Sequence, residues 1–341
     1  MYQQSVNPKE NFMIIVTGGA GFIGSNIIKA LEEQGYHDTI VCDWLGTDAK
    51  WKNIAKRELG SIIQPNEIFP FLSQNASRIE AIIHMGAIST TTETNVDACI
   101  QNNFRLSQGL WSWCATNKKR FIYASSAATY GDGSKGFSDQ ETPEHLSCLQ
   151  PLNPYGWTKH LFDRWLARMN QTNVEKPTQC VGLKFFNVFG PNEYHKEGQK
   201  SVACALTKQI QDGNPARLFK SNHTKYKDGG QMRDFVYVKD CVDVITWLLE
   251  TPDVNGLFNV GSGEARSFKE LAESVFKSMG YDAPRIEYID MPDQLKDKYQ
   301  NFTQADMAKL RDAGYEKRFT PLEEAVADYV RNYLLADDPY A

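Results

Sequence analysis

Met13-Ile14-Ile15-Val16-Thr17-Gly18-Gly19-Ala20-Gly21-Phe22-Ile23-Gly24 is the segment that indicates the fold most clearly. Its leading apolar residues are typical of a strand that is buried on both faces. Apolar residues then recur every four positions from Ile23 to Leu31, and this spacing predicts a helix. Glycines between a strand and a helix permit a tight turn and let the backbone approach a pyrophosphate at the helix N-terminus. The stretch therefore predicts a dinucleotide-binding turn that uses Gly18, Gly21, Phe22, Ile23 and Gly24.

Strand-like and helix-like patterns alternate after this turn. Further short apolar runs cover residues 39–43, 81–84, 120–124 and 180–185. Such alternation is typical of a doubly wound parallel sheet, so we predict an α/β fold of the Rossmann type with a smaller C-terminal substrate-binding lobe.

The composition of the sequence changes near Gly190, where Gly, Asn, Lys and Asp become frequent. We expect the dinucleotide-binding domain to cover residues 12–188, with re-entry of the chain near 235–263, where apolar runs return. The smaller lobe would take residues 189–234 and 264–335, and residues 1–11 would form a flexible tail.

The length, net charge and cysteine content of the chain disfavour several classes of protein. The chain has 341 residues and a net charge of -5, which disfavours a nucleic-acid binder because such proteins carry a basic surface. Seven irregularly spaced cysteines without a Cys-x-x-Cys pair suggest neither a disulfide framework nor a metal site. The sequence contains no signal-peptide pattern and no apolar run near the ~18 residues of a membrane span. These features predict a cytoplasmic protein.

Residues that lie directly after predicted strands are the candidates for binding the cofactor. Asp43 ends the second predicted strand, where a carboxylate can accept hydrogen bonds from an adenosine ribose and so favour NAD. Lys50 lies seven residues later and could instead meet a 2′-phosphate, so the pattern leaves NAD and NADP open. The small residues of Met85-Gly86-Ala87, after another strand, would let the backbone lie near the cofactor.

Tyr155 and Lys159 carry the predicted chemistry. Two residues four apart on a helix share one face, and Pro154 is typical of a helix start. A free tyrosine has a pKa of about 10, and a nearby ammonium is expected to lower it. Ser126 follows a predicted strand at the sheet edge where open α/β sheets bind ligands. The combination predicts a proton carrier for a hydroxyl that is being oxidised.

Together these motifs resemble the extended short-chain dehydrogenase/reductase superfamily and, within it, the ADP-glycero-manno-heptose 6-epimerases. The segments 123–131, 186–191, 233–238 and 299–306 carry the narrower resemblance. It implies inversion of C6 of the heptose through a ketone, with a tightly bound nicotinamide cofactor, NADP in preference to NAD. It also implies a nucleotide-sugar substrate, a homo-oligomer, and a product used for lipopolysaccharide core.

The resemblance also assigns residues that spacing alone does not. It makes Lys196 the second catalytic acid/base and places Trp44 and Asn102 beside the cofactor. The residues that it places around the sugar nucleotide are Ser126, Asn187, Ser201, Phe219, Lys220, Ser221, Arg233 and Tyr299.

The sequence departs from the family pattern at three places. Trp44 replaces the Asn of the usual Asp-Asn-Leu, Gly198-Gln199-Lys200-Ser201 differs from the usual Gly-x-Met-Ala-Ser, and the stretch 222–231 is longer. Three alternatives stay open: a 4-epimerase, another reductase, and a non-catalytic dinucleotide sensor. A 4,6-dehydratase is disfavoured because Ser126 is followed by Ala127-Ala128-Thr129-Tyr130 and not by an acidic pair.

Overall fold

The large sheet of this protein is built from seven strands that all run parallel. The structure is a computed structural model that describes residues 12–293 and 299–341, so the tail predicted over 1–11 lies outside the described residues. In chain order the strands are β1 (Met13–Thr17), β2 (Asp38–Cys42), β3 (Ser61–Ile63), β4 (Ile79–His84), β5 (Arg120–Ser126), β6 (Gln179–Phe185), β7 (Asn187–Phe189), β8 (Ala216–Phe219), β9 (Met232–Tyr237), β10 (Gly256–Val260), β11 (Ala265–Ser267) and β12 (Ile286–Ile289).

Helices connect these strands and cover both faces of the sheet. In chain order they are α1 (Phe22–Glu33), α2 (Ile68–Asn75), α3 (Val96–Cys99), α4 (Leu106–Thr116), α5 (Pro143–Ser147), α6 (Pro154–Asn170), α7 (Val202–Gln211), α8 (Val238–Glu250), α9 (Phe268–Ser278), α10 (Ala308–Asp312) and α11 (Leu322–Tyr329). Parallel neighbours require such crossover connections, because a tight hairpin joins only antiparallel strands.

The large sheet has the strand order β10-β6-β5-β4-β1-β2-β3. The chain leaves β1 toward β2 and β3 on one side and then returns to build β4, β5 and β6 on the other side. Ligands of open α/β sheets bind where the order reverses, at the carboxyl ends of the strands. Here that point lies between β1 and β4, beside the glycine turn. The predicted α/β fold with a parallel, Rossmann-type sheet is confirmed.

Two smaller sheets lie in the remainder of the chain. One has the order β11-β9-β7, and the other pairs β12 with β8. A second hydrophobic core packs α7, α9 and α11 against these strands, and the first residue of α1, Phe22, belongs to it. β9 therefore lies in a small sheet, while β10 joins the large one. The division into a dinucleotide-binding domain and a smaller lobe stays a prediction.

No helix within residues 12–293 and 299–341 combines the length and the apolar character that a membrane span requires.

Candidate active site

The glycine turn after β1 forms a cradle that only glycine can build. Gly18 has φ +64°, and a Cβ there would lie 2.8 Å from Cα of Gly86; a Cβ on Gly24 would lie 2.1 Å from the carbonyl oxygen of Gly18. Gly21 caps α1 without a side chain, so the first N–H groups of that helix are left for a ligand. These features fit the pyrophosphate of a dinucleotide.

Asp43 lies immediately after β2, at one end of this cradle. One carboxylate oxygen accepts a hydrogen bond from the backbone N–H of Ala20 at 3.0 Å. The other pairs with the Lys50 ammonium at 2.6 Å, and this ammonium also donates to the carbonyl oxygen of Trp44. Trp44 itself is half exposed at the rim of the cavity. The carboxylate and the lysine that predict different cofactors therefore form one ion pair.

A buried chain of hydrogen bonds joins the end of β1 to the loop after β4, and the sequence analysis did not predict it. Gly86 donates its N–H to the Thr17 hydroxyl at 3.0 Å, this hydroxyl lies 2.6 Å from Nδ1 of His84, and Nε2 of His84 lies 2.9 Å from the Ser107 hydroxyl. Burial, aided by the Lys159 ammonium, lowers the pKa of His84 to about 3. A neutral imidazole thus fixes the loop after β4.

Tyr155 and Lys159 begin α6, and Ser126 ends β5. The helix is capped by Asn153, whose side chain accepts a hydrogen bond from the N–H of Gly156 at 2.8 Å. All three predicted residues line one cavity. The spacing therefore placed the hydroxyl, the phenol and the ammonium correctly at the same sheet edge.

The expected pKa of Tyr155 was wrong in direction. Burial raises this pKa above its ordinary value, and a hydrogen bond with Ser126 only opposes the rise. The Asp163 carboxylate adds to the rise, while the Lys159 ammonium donates to the carbonyl oxygen of Ala124 at 2.8 Å. Burial also lowers the pKa of Lys159 to about 8, while the Asp163 carboxylate raises it. In the described site Tyr155 is a neutral phenol.

A fully buried ion pair lies behind these residues, and the sequence reading missed it. Lys184 on β6 approaches the Asp163 carboxylate of α6 at 3.0 Å, and both side chains are completely buried. The Tyr123 and Ser125 hydroxyls donate to the same carboxylate at 3.0 and 2.7 Å. Because Ser125 precedes Ser126, the pair fixes the end of β5 at the catalytic residues.

Lys196 lies on the loop that follows β7. Its ammonium stands 4.5 Å from the ring centroid of Phe22, the first residue of α1. Burial lowers its pKa, and the Glu193 carboxylate opposes this. Glu193 in turn accepts hydrogen bonds from the Ser201 hydroxyl at 2.6 Å and from the Tyr329 hydroxyl at 2.9 Å. Lys196 is therefore a partly exposed residue of the cavity wall and not the fully solvated surface lysine that its sequence context would suggest.

The far end of the cavity is lined by Arg233. Its buried guanidinium lies 4.8 Å from the ring centroid of Tyr299 and 5.5 Å from that of Phe268. Burial lowers its pKa, and its guanidinium donates a hydrogen bond to the carbonyl oxygen of Met232 at 2.9 Å. A guanidinium stacked in this way keeps donors for an oxyanion such as a diphosphate.

A single cavity of about 1060 Å³ connects the cradle, the catalytic residues and Arg233. Its lining includes most of the predicted site residues: Gly18, Gly21, Phe22, Ile23, Gly24, Asp43, Trp44, Lys50, Met85, Gly86, Ala87, Ser126, Tyr155, Lys159, Asn187, Lys196, Ser201, Phe219, Arg233 and Tyr299.

Three predicted residues do not line this cavity. Asn102 donates to the carbonyl oxygen of Ala98 within its own helical segment. Lys220 pairs with Asp290 at 3.0 Å on the surface, and the Ser221 hydroxyl donates to the carbonyl oxygen of His223. Their roles stay predictions that the described geometry does not support.

Comparison with known proteins places this geometry in a family. Residues 14–261 match the NAD dependent epimerase/dehydratase family. The chain belongs to this family. A curated ADP-L-glycero-D-manno-heptose-6-epimerase of Nitratidesulfovibrio vulgaris is 50% identical over 330 residues, which are 96% of this chain and 100% of that protein.

Two solved structures of the family share the fold. The Helicobacter pylori ADP-L-glycero-D-manno-heptose-6-epimerase superposes with a TM-score of 0.76 at 26% identity, covering 95% of this chain and 96% of that one. The Bacillus cereus UDP-glucuronic acid 4-epimerase, in complex with UDP-glucuronic acid and NAD, gives 0.75 at 25% identity over 94% and 99%. The predicted family and the predicted class of enzyme, an epimerase that oxidises and re-reduces its substrate, are confirmed. The cofactor is a nicotinamide dinucleotide.

Proposed function

We propose that this epimerase inverts C6 of the heptose in ADP-glycero-D-manno-heptose. The observation that carries the proposal is the placement of two proton carriers in one cavity but on different elements, Tyr155 on α6 and Lys196 on the loop after β7. Inversion requires the hydride to leave and return on opposite faces of one carbon, and two proton carriers on different elements can serve the reacting oxygen in both orientations. The 50% identity to a curated protein of that name supports the choice of sugar and nucleotide.

The directions of the two pKa shifts assign complementary roles to these residues. Burial lowers the pKa of Lys196, so its amine can accept the proton of a substrate hydroxyl nearer neutrality. Burial raises the pKa of Tyr155, so its phenol is ready to donate a proton to a ketone oxygen. When bound, the nicotinamide supplies the acceptor and donor of the hydride. In the reverse reaction Tyr155 accepts the proton and Lys196 donates it.

The remaining lining residues hold the substrate in this proposal. Arg233 would bind the diphosphate through its guanidinium, with Tyr299 and Phe219 as the apolar wall beside it; their rings meet edge to face at 6.4 Å between centroids. Asn187 would contact the sugar, and its side-chain oxygen already accepts from the Thr303 hydroxyl at 3.3 Å. Ser201 acts indirectly, because its hydroxyl is used to fix Glu193.

We propose NADP as the form of the cofactor. Asp43, the residue expected to select NAD, is engaged by Ala20 and by the Lys50 ammonium, so both of its carboxylate oxygens already have partners. Lys50 would then hold the 2′-phosphate. Cofactor released from the purified enzyme and weighed by mass spectrometry should be NADP; NAD alone would contradict the proposal. Lys50→Met should then weaken NADP binding more than NAD binding.

The decisive experiment for the reaction is incubation of the purified enzyme with ADP-D-glycero-D-manno-heptose and observation of the C6 configuration by NMR. We expect conversion to the L-glycero epimer without added cofactor, and much slower conversion by Lys196→Met. No conversion by an enzyme that retains its cofactor would refute this substrate and direct the search to other nucleotide sugars, beginning with 4-epimerisation. A homo-oligomer and a cytoplasmic location stay predictions, which light scattering and cell fractionation can check.

A further inference from the structure

The last described residues, 337–341, lie against the two segments that flank the cavity near Lys196. The Lys56 ammonium pairs with the Asp338 carboxylate at 2.8 Å and donates to the carbonyl oxygen of Tyr340 at 2.6 Å. The Tyr194 hydroxyl donates to the carbonyl oxygen of Pro339 at 2.7 Å. We name residues 337–341 the C-terminal strap.

Aromatic and backbone contacts complete this attachment. The rings of Tyr194 and Tyr340 meet edge to face with 5.4 Å between centroids. The N–H of Ala341, a buried residue, donates to the side-chain oxygen of Asn192 at 2.9 Å. The strap therefore has contacts of several kinds, distributed along its length, on both the 192–194 segment and Lys56.

Asn192 links the strap to the cofactor cradle. It is fully buried and has φ +73°, a conformation that Asn tolerates better than most residues. Its side-chain nitrogen donates to the Ser25 hydroxyl of α1 at 3.0 Å and approaches the carbonyl oxygen of Asn53 at 3.5 Å. One side chain thus joins the strap, the helix of the glycine turn and the segment that carries Lys50.

The segment held in this way leads directly to Lys196. The side chain of His195 lies 3.1 Å from the Asn53 amide, Nδ1 to Nδ2. The N–H of Lys196 donates to the carbonyl oxygen of Glu193 at 3.1 Å, and its ammonium lies over Phe22. Strap contacts at Asn192 and Tyr194 therefore lie within four residues of the proposed acid/base, on the same loop.

We propose that the C-terminal strap is a positioning element for catalysis, which holds the 192–196 loop against α1 and so fixes the Lys196 ammonium in the cavity. Tyr340 and Asp338 are its positioning residues. The proposal rests on the proposed role of Lys196. By contrast Tyr155 and Lys159 are fixed by α6 and β5, which none of the strap contacts described above involves.

The test compares two variants with the full chain: one that lacks residues 337–341, and Tyr340→Ala. Tyr281→Ala is the matched control, because Tyr281 is an exposed tyrosine just after α9 whose ring contacts Phe276 of that helix and no residue of the strap. The measurements are acetylation of individual lysines by an N-hydroxysuccinimide ester, read by mass spectrometry, and kcat and KM for epimerisation. Thermal midpoints and cofactor content report on folding.

We expect faster acetylation of Lys196 in both strap variants, with that of Lys159 unchanged. The kcat for epimerisation should fall about tenfold to hundredfold, because a small misplacement of a reacting group is costly, while KM stays nearly constant. If the variant without residues 337–341 loses its cofactor or has a lower thermal midpoint, the proposal is judged on Tyr340→Ala alone. Unchanged acetylation and kcat in Tyr340→Ala, with Lys196→Met inactive, would overturn the strap alone. Faster acetylation without loss of kcat would instead overturn the role of Lys196.

Discussion

Replacement of Lys184 by methionine should destabilise the enzyme far more than replacement of an exposed lysine. At 3.0 Å and an effective dielectric constant of about 20, the attraction between its ammonium and Asp163 is about 5 kcal/mol. Methionine removes this attraction and leaves a fully buried carboxylate with only hydroxyl donors. The expected loss in the free energy of unfolding is about 3–5 kcal/mol, which is a large part of the stability of a typical protein.

Lys208→Met is the matched control, because Lys208 pairs with Asp212 at 2.7 Å but is 72% exposed. Its loss should cost less than about 1 kcal/mol. Guanidinium unfolding followed by tryptophan fluorescence gives both values. Asp163→Asn combined with Lys184→Met should recover part of the loss, since no buried charge is then left alone. Equal destabilisation by Lys184→Met and Lys208→Met would refute the reasoning.

Three further predictions concern the site. Tyr155→Phe should reduce turnover by about 10²–10⁴-fold with the cofactor retained, because only the proton carrier is lost; normal turnover would exclude its role. The lowered pKa of Lys159 makes stability depend on pH, because between about 8 and 10.5 the unfolded chain binds more protons than the folded chain; the free energy of unfolding should therefore rise with pH more steeply in this enzyme than in Lys159→Met, and equal slopes would contradict this. Gly21→Val should yield folded protein without cofactor, and its absorbance spectrum after purification checks this.

The elements that were predictable from sequence are those with a local signal. β1 is a continuous apolar run and is buried throughout as predicted, and the mainly apolar runs of β5 and β6 are also strands with nearly all residues buried. β3, β7 and β11 have only three residues each, too few to show a period. β8 and β12 pair with each other across a long stretch of chain, so no nearby part of the sequence indicates either strand.

The catalytic residues show the same division. Tyr155 and Lys159 could be found because four residues on a helix fix their geometry. Lys184 and Asp163 were missed although signals exist: Lys184 is a charge inside an apolar strand, and Asp163 lies eight residues after Tyr155 on α6. The direction of the Tyr155 pKa could not be predicted, because it depends on how deeply the folded chain buries the phenol, which spacing along a helix does not reveal. Lys196 required the family resemblance, since its contact with the Phe22 ring joins two segments that are distant in sequence.

The strand order of the large sheet has a consequence for biosynthesis. β6 needs β10 as its outer neighbour, yet β10 is made only after the whole segment 186–255. A nascent chain whose residues up to about 190 have emerged from the ribosome therefore presents β6 as an open edge, although nearly all of its residues are buried in the finished protein. Unpaired edges of this kind recruit strands from other chains. The ribosome-bound intermediate is thus a stage at which this enzyme is exposed to aggregation. A fragment that ends near residue 190 would keep the unpaired edge of β6.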